Sequence, residues 1–218
     1  MRWALDGDSL LLADDRQVRL VGINAPDFGK NGRPDQPLAK TARDRASVLT
    51  RGQTVRLVYD AERHDRYGRL LAYVFLPDGR ELQEILLREG LAWFVAIDPN
   101  VARLTAHRAA EAEARAFRRG IWAAPQYEAV PAERLSPADT GFVRLSGIVT
   151  AVERHGDAIE FQLTPQVRLV IAPSVLAALG QSPQAMRGKR VLARGWLAEY
   201  KNHLRLRITH PAMLELLS

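Results

Sequence analysis

Residues 18–23, Val-Arg-Leu-Val-Gly-Ile, read as an apolar strand, yet the run carries an arginine and ends at once in Asn24-Ala25-Pro26-Asp27. The proline stops the hydrogen-bond ladder and leaves polar side chains at the strand's tip. A guanidinium inside such a strand is costly unless it is paired, so Arg19 has to meet a carboxylate or reach the surface and bind an anion. Whatever fold this chain adopts must satisfy that arginine and that tip together.

Two other turns gather the same residue types. Asp6-Gly7-Asp8-Ser9 places two carboxylates around a glycine. Such aspartates commonly bond their own backbone in a hairpin; the functional alternative is that Asp8 offers a hard oxygen to Ca²⁺. Arg63-His64-Asp65-Arg66-Tyr67-Gly68-Arg69 brackets a second glycine turn before the apolar run Leu70-Leu71-Ala72-Tyr73. Local ion pairs account for Arg63, Asp65 and Arg66, but not for an arginine at the first position of a strand.

Around these turns, periodicity predicts strands at 10–13 and 17–23, a loop at 28–37 and a helix at 38–49 closed by Gly52. Strands at 55–59 and 70–76 follow, then helices at 82–88 and 99–119 closed by Gly90 and Gly120. The aromatics of Leu91-Ala92-Trp93-Phe94-Val95 sit in an apolar run and read as core, the alternative being that Trp93 or Phe94 offers a stacking surface to a base. This is a mostly β, α+β pattern: a five-stranded barrel with packed helices. Three prolines and no apolar period mark 125–139 as a linker between a domain at 1–124 and another at 140–218. The second domain shows five strands, at 142–152, 158–164, 167–172, 189–197 and 204–209. One helix, at 173–179, follows the third, which is the order of a small OB-like β-barrel. In the last of these strands Leu204-Arg205-Leu206-Arg207 alternates arginine with leucine, so one sheet face is basic. That face either tracks a phosphate backbone or is plainly solvated.

With 218 residues the chain can bury one large or two small cores, and a net charge of +6, nearly all of its cations arginine, is compatible with nucleic acid without requiring it. The excess is spread evenly: 20 basic minus 17 acidic residues over 1–124 and 11 minus 8 over 125–218 each give +3. The absence of cysteine excludes disulfides, thiolate zinc sites and a thiol nucleophile. No apolar run is long enough to span a membrane, and the first residues are not a signal peptide. With five residues before the first turn, a removed leader is expected if the protein works outside the cytoplasm; otherwise the chain is cytoplasmic.

The motifs Asp-Gly-Asp-Ser, Val-Arg-Leu-Val-Gly-Ile-Asn-Ala-Pro-Asp and Asp-Arg-Tyr-Gly-Arg-Leu-Leu-Ala-Tyr-Val, with Gly120-Ile121-Trp122 closing, occur in the order and rough spacing of the staphylococcal nuclease (thermonuclease) family, which the chain resembles over about residues 5–122. The resemblance implies an OB-fold barrel that hydrolyses DNA and RNA with Ca²⁺, single-stranded regions being favoured. Asp8 then matches a calcium ligand, Asn24 falls where a second carboxylate is usual, and Ala25 falls where a backbone carbonyl meets the ion. Arg19 and Arg69 match the two arginines on the phosphate, Asp27 matches the glutamate that holds the attacking water, and Arg66 and Tyr67 match positions near the nucleotide.

Two of these positions depart from the pattern. Asn24 keeps an oxygen ligand but removes a charge, which lowers the expected calcium affinity. Asp27 is one methylene short of glutamate, and a displacement of about an ångström can cost ~10²-fold. The competing expectation is therefore a catalytically weakened module of the same fold that binds nucleic acid.

Overall fold

The computed structural model describes residues 1–29 and 32–217. The chain divides into two compact units, Met1–Pro125 and Gln126–Ser218.

In the first unit, β1 (Trp3–Ala4), β2 (Ser9–Leu11) and β3 (Gln17–Leu20) form an antiparallel meander. A turn then leads to β4 (Ile23–Asn24), α1 (Ala39–Thr50), β5 (Arg56–Val58) and β6 (Leu70–Phe75). The main sheet has the order β1-β2-β3-β6-β5, with β3 and β6 parallel and Arg19 opposite Leu71. Leu70, Ala72, Tyr73 and Val74 of β6 are buried in near-continuous succession, as expected of a strand covered on both faces. α2 (Leu82–Arg88), β7 (Trp93–Phe94) and α3 (Leu104–Ala116) complete the unit. The buried stripe of α1, Ala39, Ala42, Ala46 and Thr50, is made of small residues at helical spacing and so permits close packing.

Three expectations need correction. The strand expected over 17–23 is broken: β3 stops at Leu20, and Ile23 and Asn24 pair with Phe94 and Trp93 in a separate two-stranded sheet. The cause is Gly22, at φ +82, where an added Cβ would also lie 2.4 Å from the buried His107 ring. At the break the buried Gln83 amide donates to the carbonyls of Val21 and Ala72 at 3.4 and 3.0 Å. The helix expected over 99–119 is shorter, running from Leu104 to Ala116. Asn100 is held instead by bonds in both directions with the backbone of Glu62, each 2.8 Å. The expected strand 142–152 is likewise two strands.

The second unit contains β8 (Val130–Pro131), β9 (Gly141–Ile148), β10 (Ala151–His155), β11 (Ala158–Gln162), β12 (Val167–Ile171), α4 (Pro173–Ala178), β13 (Arg190–Tyr200), β14 (His203–Ile208) and β15 (Leu214–Leu217). Its strand order is β10-β11-β12-β14-β13-β9-β8, with β15 added on β13. β12 and β14 are parallel, and α4 lies between β12 and β13 in the chain. Only Val149 and Thr150 separate β9 from β10 in the chain. The stretch read as a linker contributes β8, which pairs in parallel with β9. Leu145, Phe161, Leu169, Ile171, Leu206 and Ile208 fill the core.

Among the described residues no helix is long and apolar enough to cross a membrane.

Candidate nuclease site

The break after Leu20 explains the buried arginine. Arg19 folds back over the corner, and its Nη1 donates to the carbonyls of Leu20 and Ile23 at 2.9 Å each. These carbonyls point away from the ladder and need a donor. Its Nη2 lies 3.1 Å from Asp8 Oδ2 and 3.3 Å from Asn24 Oδ1. One cationic nitrogen thus bridges two hard oxygens from separate turns.

Asp8 is almost fully buried. It reaches this position because Gly7 has no Cβ: one built there would stand 2.5 Å from the Ala25 Cβ and 2.7 Å from that of Ala42. Asp8 Oδ2 accepts the Ala25 N–H at 2.8 Å, Oδ1 accepts the Ser9 hydroxyl at 3.1 Å, and Asp6 Oδ1 accepts the Asp8 N–H at 2.9 Å. Burial pushes the Asp8 carboxyl up to about 7 against the opposing pull of Arg19, and the nearby Asp6 carboxylate adds to the rise. In the native state it therefore binds a proton at pH values where the unfolded carboxyl, titrating near its ordinary 3.8, has lost its own. Stability in a chelator is expected to fall as pH rises between these two values and to level off above the higher one. Asp8→Asn should flatten that component in a series of melting curves against pH, and an unchanged slope would contradict the assignment.

Asn24 Nδ2 donates to the Ala25 carbonyl at 3.3 Å, so Asp8, Arg19, Asn24 and Ala25 form one hydrogen-bonded cluster. Among the described residues there is no group of three or more His, Cys, Asp or Glu side chains placed to hold a metal. The hard-oxygen set here consists of one carboxylate, one amide and one backbone carbonyl. That chemistry suits Ca²⁺ more than a softer ion, and a cation already sits between two of the oxygens in the form of Arg19 Nη2.

Arg69 belongs to a second cluster. Asp65 Oδ2 accepts its Nε at 2.7 Å, and Asp65 Oδ1 accepts the Tyr67 and Arg69 amides at 2.9 and 3.0 Å. Burial works against ionisation of Asp65, but the Arg69 side chain and the two amides hold its carboxyl below the ordinary range. Arg66 donates to the Tyr67 hydroxyl at 2.8 Å and lies over its ring. Tyr67 and Arg69 line an open cleft of about 640 Å³ with Arg16, Gln17 and His64. Because Arg19 is opposite Leu71, alternation puts Arg69, two residues earlier, on the same sheet face as Arg19.

Asp27 is exposed, at the start of the loop that leads to α1. Its backbone is fixed at both ends by Gln36, which accepts its N–H at Oε1 (2.8 Å) and donates a backbone N–H to its carbonyl (2.9 Å). Trp93 and Phe94 are buried, as read.

Sequence reasoning did not single out Ser9, Gln36 or Gln83, and it treated Asp65 only as part of a solvated turn. The four-residue spacing from Asp65 to Arg69 across a glycine was the available signal; nothing local marks the others.

The staphylococcal nuclease homologue family model matches residues 17–124. The thermonuclease of Staphylococcus hyicus is 36% identical over 122 residues, covering 54% of this chain and 71% of that protein. Endonuclease YncB of Bacillus subtilis is 34% identical over 129 residues, 57% of this chain and 61% of that one. An uncharacterized endonuclease of Escherichia coli O157:H7 is 34% identical over 124 residues, with 54% and 72% covered. Similarity of this extent to proteins named as nucleases and endonucleases defines a domain of the nuclease class. The chain belongs to the staphylococcal nuclease family.

Proposed function

We propose that the first unit hydrolyses phosphodiester bonds in single-stranded stretches of DNA or RNA and depends on calcium. The observation that carries this reading is the Arg19 guanidinium bridging Asp8 Oδ2 and Asn24 Oδ1 at 3.1 and 3.3 Å, with Ala25 bonded into the same cluster. Asp8, Asn24 and the Ala25 carbonyl would hold the ion. When bound, calcium supplies positive charge beside the scissile phosphate and keeps Asp8 ionised.

The chain's own residues supply the remaining chemistry. Attack on a phosphodiester builds negative charge on its nonbridging oxygens, and Arg19 and Arg69, on one sheet face, take those oxygens. Asp65 aims Arg69 through Nε and leaves its terminal nitrogens for the phosphate. Asp27 holds the attacking water and accepts its proton. Arg66 and Tyr67, at the rim of the cleft, contact the neighbouring nucleotide. Support for cleavage, rather than binding alone, comes from the relatives being named nucleases. The strand order of the second unit, with its parallel β12–β14 pair, is the support for reading it as an OB-type barrel.

The test is hydrolysis of labelled single-stranded DNA and RNA by the purified chain. Cleavage is expected with calcium and should disappear on chelation; equal cleavage in chelator would overturn the calcium assignment.

A further inference from the structure

The second unit turns two large rings to solvent on one strand. Trp196 and Tyr200 are 43% and 49% exposed. Both occupy outward positions of β13, while Leu197, between them, faces the core with Leu204 and Leu206 of β14. Four residues apart on a strand, they stand ~13 Å from each other. Phe142 of β9, opposite Trp196 in register, meets its ring edge-on with centroids 5.2 Å apart. Rings of this size normally bury their faces in a core or an interface.

Cations accompany the rings. The Arg205 guanidinium lies 4.5 Å from the centre of the Tyr200 ring, and Lys201 Nζ lies 5.4 Å from it. Arg205 is opposite Ala198, the outward residue between the two rings. Behind this face, buried Glu160 is shared by Arg168 and Arg205 at 3.0 Å each, and Glu153 lies 3.8 Å from Arg168, so this cluster balances its own charge and the positive excess of the face comes from Arg207 and Lys201. Arg207, the next outward residue of β14, is exposed and has no ion pair among the described residues. Glu199 is paired in register with inward-facing Leu204 and so points to the other side of the strand.

Flat apolar faces flanked by cations, two of them, Arg207 and Lys201, without an ion pair among the described residues, fit one partner best. We propose that this face is a stacking platform for single-stranded polynucleotide, with bases on Trp196 and Tyr200 and phosphates on Arg205, Arg207 and Lys201. The inference rests on the nucleic-acid substrate proposed for the first unit. It goes beyond that reading by giving the second unit a role in holding the strand.

The test uses the full chain in chelator, so that the strand stays intact, with fluorescein-labelled thymidine and uridine oligomers read by anisotropy. The double variant Trp196→Ala, Tyr200→Ala is expected to bind ~10-fold more weakly per ring removed, whereas Trp196→Phe, Tyr200→Phe, which keeps both π-faces, retains most of the affinity. Arg207→Ala should lower the slope of log affinity against log salt by about 1. Unchanged binding by the double alanine variant overturns the proposal. So does unchanged binding accompanied by a shift from dimer to monomer in light scattering, which would make the face a contact between copies. A mononucleotide nitrophenyl phosphodiester, which carries no further bases for a stacking platform, separates the two readings. If neither oligomer nor diester is cleaved but ring removal still weakens binding, the platform stands and the first-unit reading falls. If cleavage is normal and ring removal leaves binding unchanged, only the platform falls.

Discussion

Replacing Arg69 with alanine is expected to lower calcium-dependent cleavage of single-stranded DNA by about 10²–10³-fold, chiefly in kcat. The side chain is partly exposed, bonded by Asp65 at Nε and set over the Tyr67 ring at 5.7 Å. Its terminal nitrogens are thus already oriented when a phosphate arrives, and their bonds strengthen as charge develops on the nonbridging oxygens. The same geometry predicts that lysine will not substitute, because an ammonium cannot bond Asp65 and two phosphate oxygens in one plane. Asp65→Asn should give an intermediate loss through misorientation. The fold should tolerate all three changes, since the Arg69–Asp65 pair lies near the surface and contributes at most about 1 kcal/mol. Steady-state kinetics with a melting curve as control make the measurement; activity of Arg69→Ala within a few-fold of the parent would remove Arg69 from the mechanism.

The second large effect runs in the opposite direction. Changing Asn24 to Asp and Asp27 to Glu together is expected to raise turnover at low calcium by ~10²-fold, most of it from the recovered methylene at position 27. Asn24→Asp alone should mainly lower the calcium needed for half-maximal rate, because it adds a second carboxylate beside Asp8. It carries a cost that separates it from a generic improvement. Two buried carboxylates would then share one Arg19 Nη2, so the variant should melt lower than the parent in chelator and recover with calcium. A parent chain that binds oligomers without cutting them, together with a double variant that does cut, would identify the natural chain as a weakened binding module. A double variant no faster than the parent would mean that position 27 does not hold the attacking water.

Much of the site was legible in the sequence because the motifs are local. Asp8, Arg19, Asn24 and Arg69 each sit in or beside a short apolar run, where a glycine or proline marks them as candidates; the roles expected of them came from the resemblance. The expectation of two domains rests on the same kind of signal, since runs of alternating residues separated by turn chemistry can be read without knowing their partners. The reading placed Gly22 inside a strand because no local signal says that its φ is positive. That conformation is imposed from outside by the buried His107 ring, which leaves no room for a side chain, and by Gln83, which satisfies the carbonyls left by the break.

The sequence by itself determined which residues could carry charge chemistry and roughly where the strands begin, because hydrophobic period and turn residues act over a few positions. Only the tertiary structure decided that Asp8 and Asn24, sixteen positions apart, meet across one nitrogen of Arg19, and that Asp65 aims Arg69. It also decided that Trp196 and Tyr200 face water and not the core. The first depends on strand pairing and on the close approach of Gly7 to Ala25 and Ala42, and the last on the pairing of β13 with β9 and β14. Those contacts join distant parts of the chain, and no local pattern encodes them.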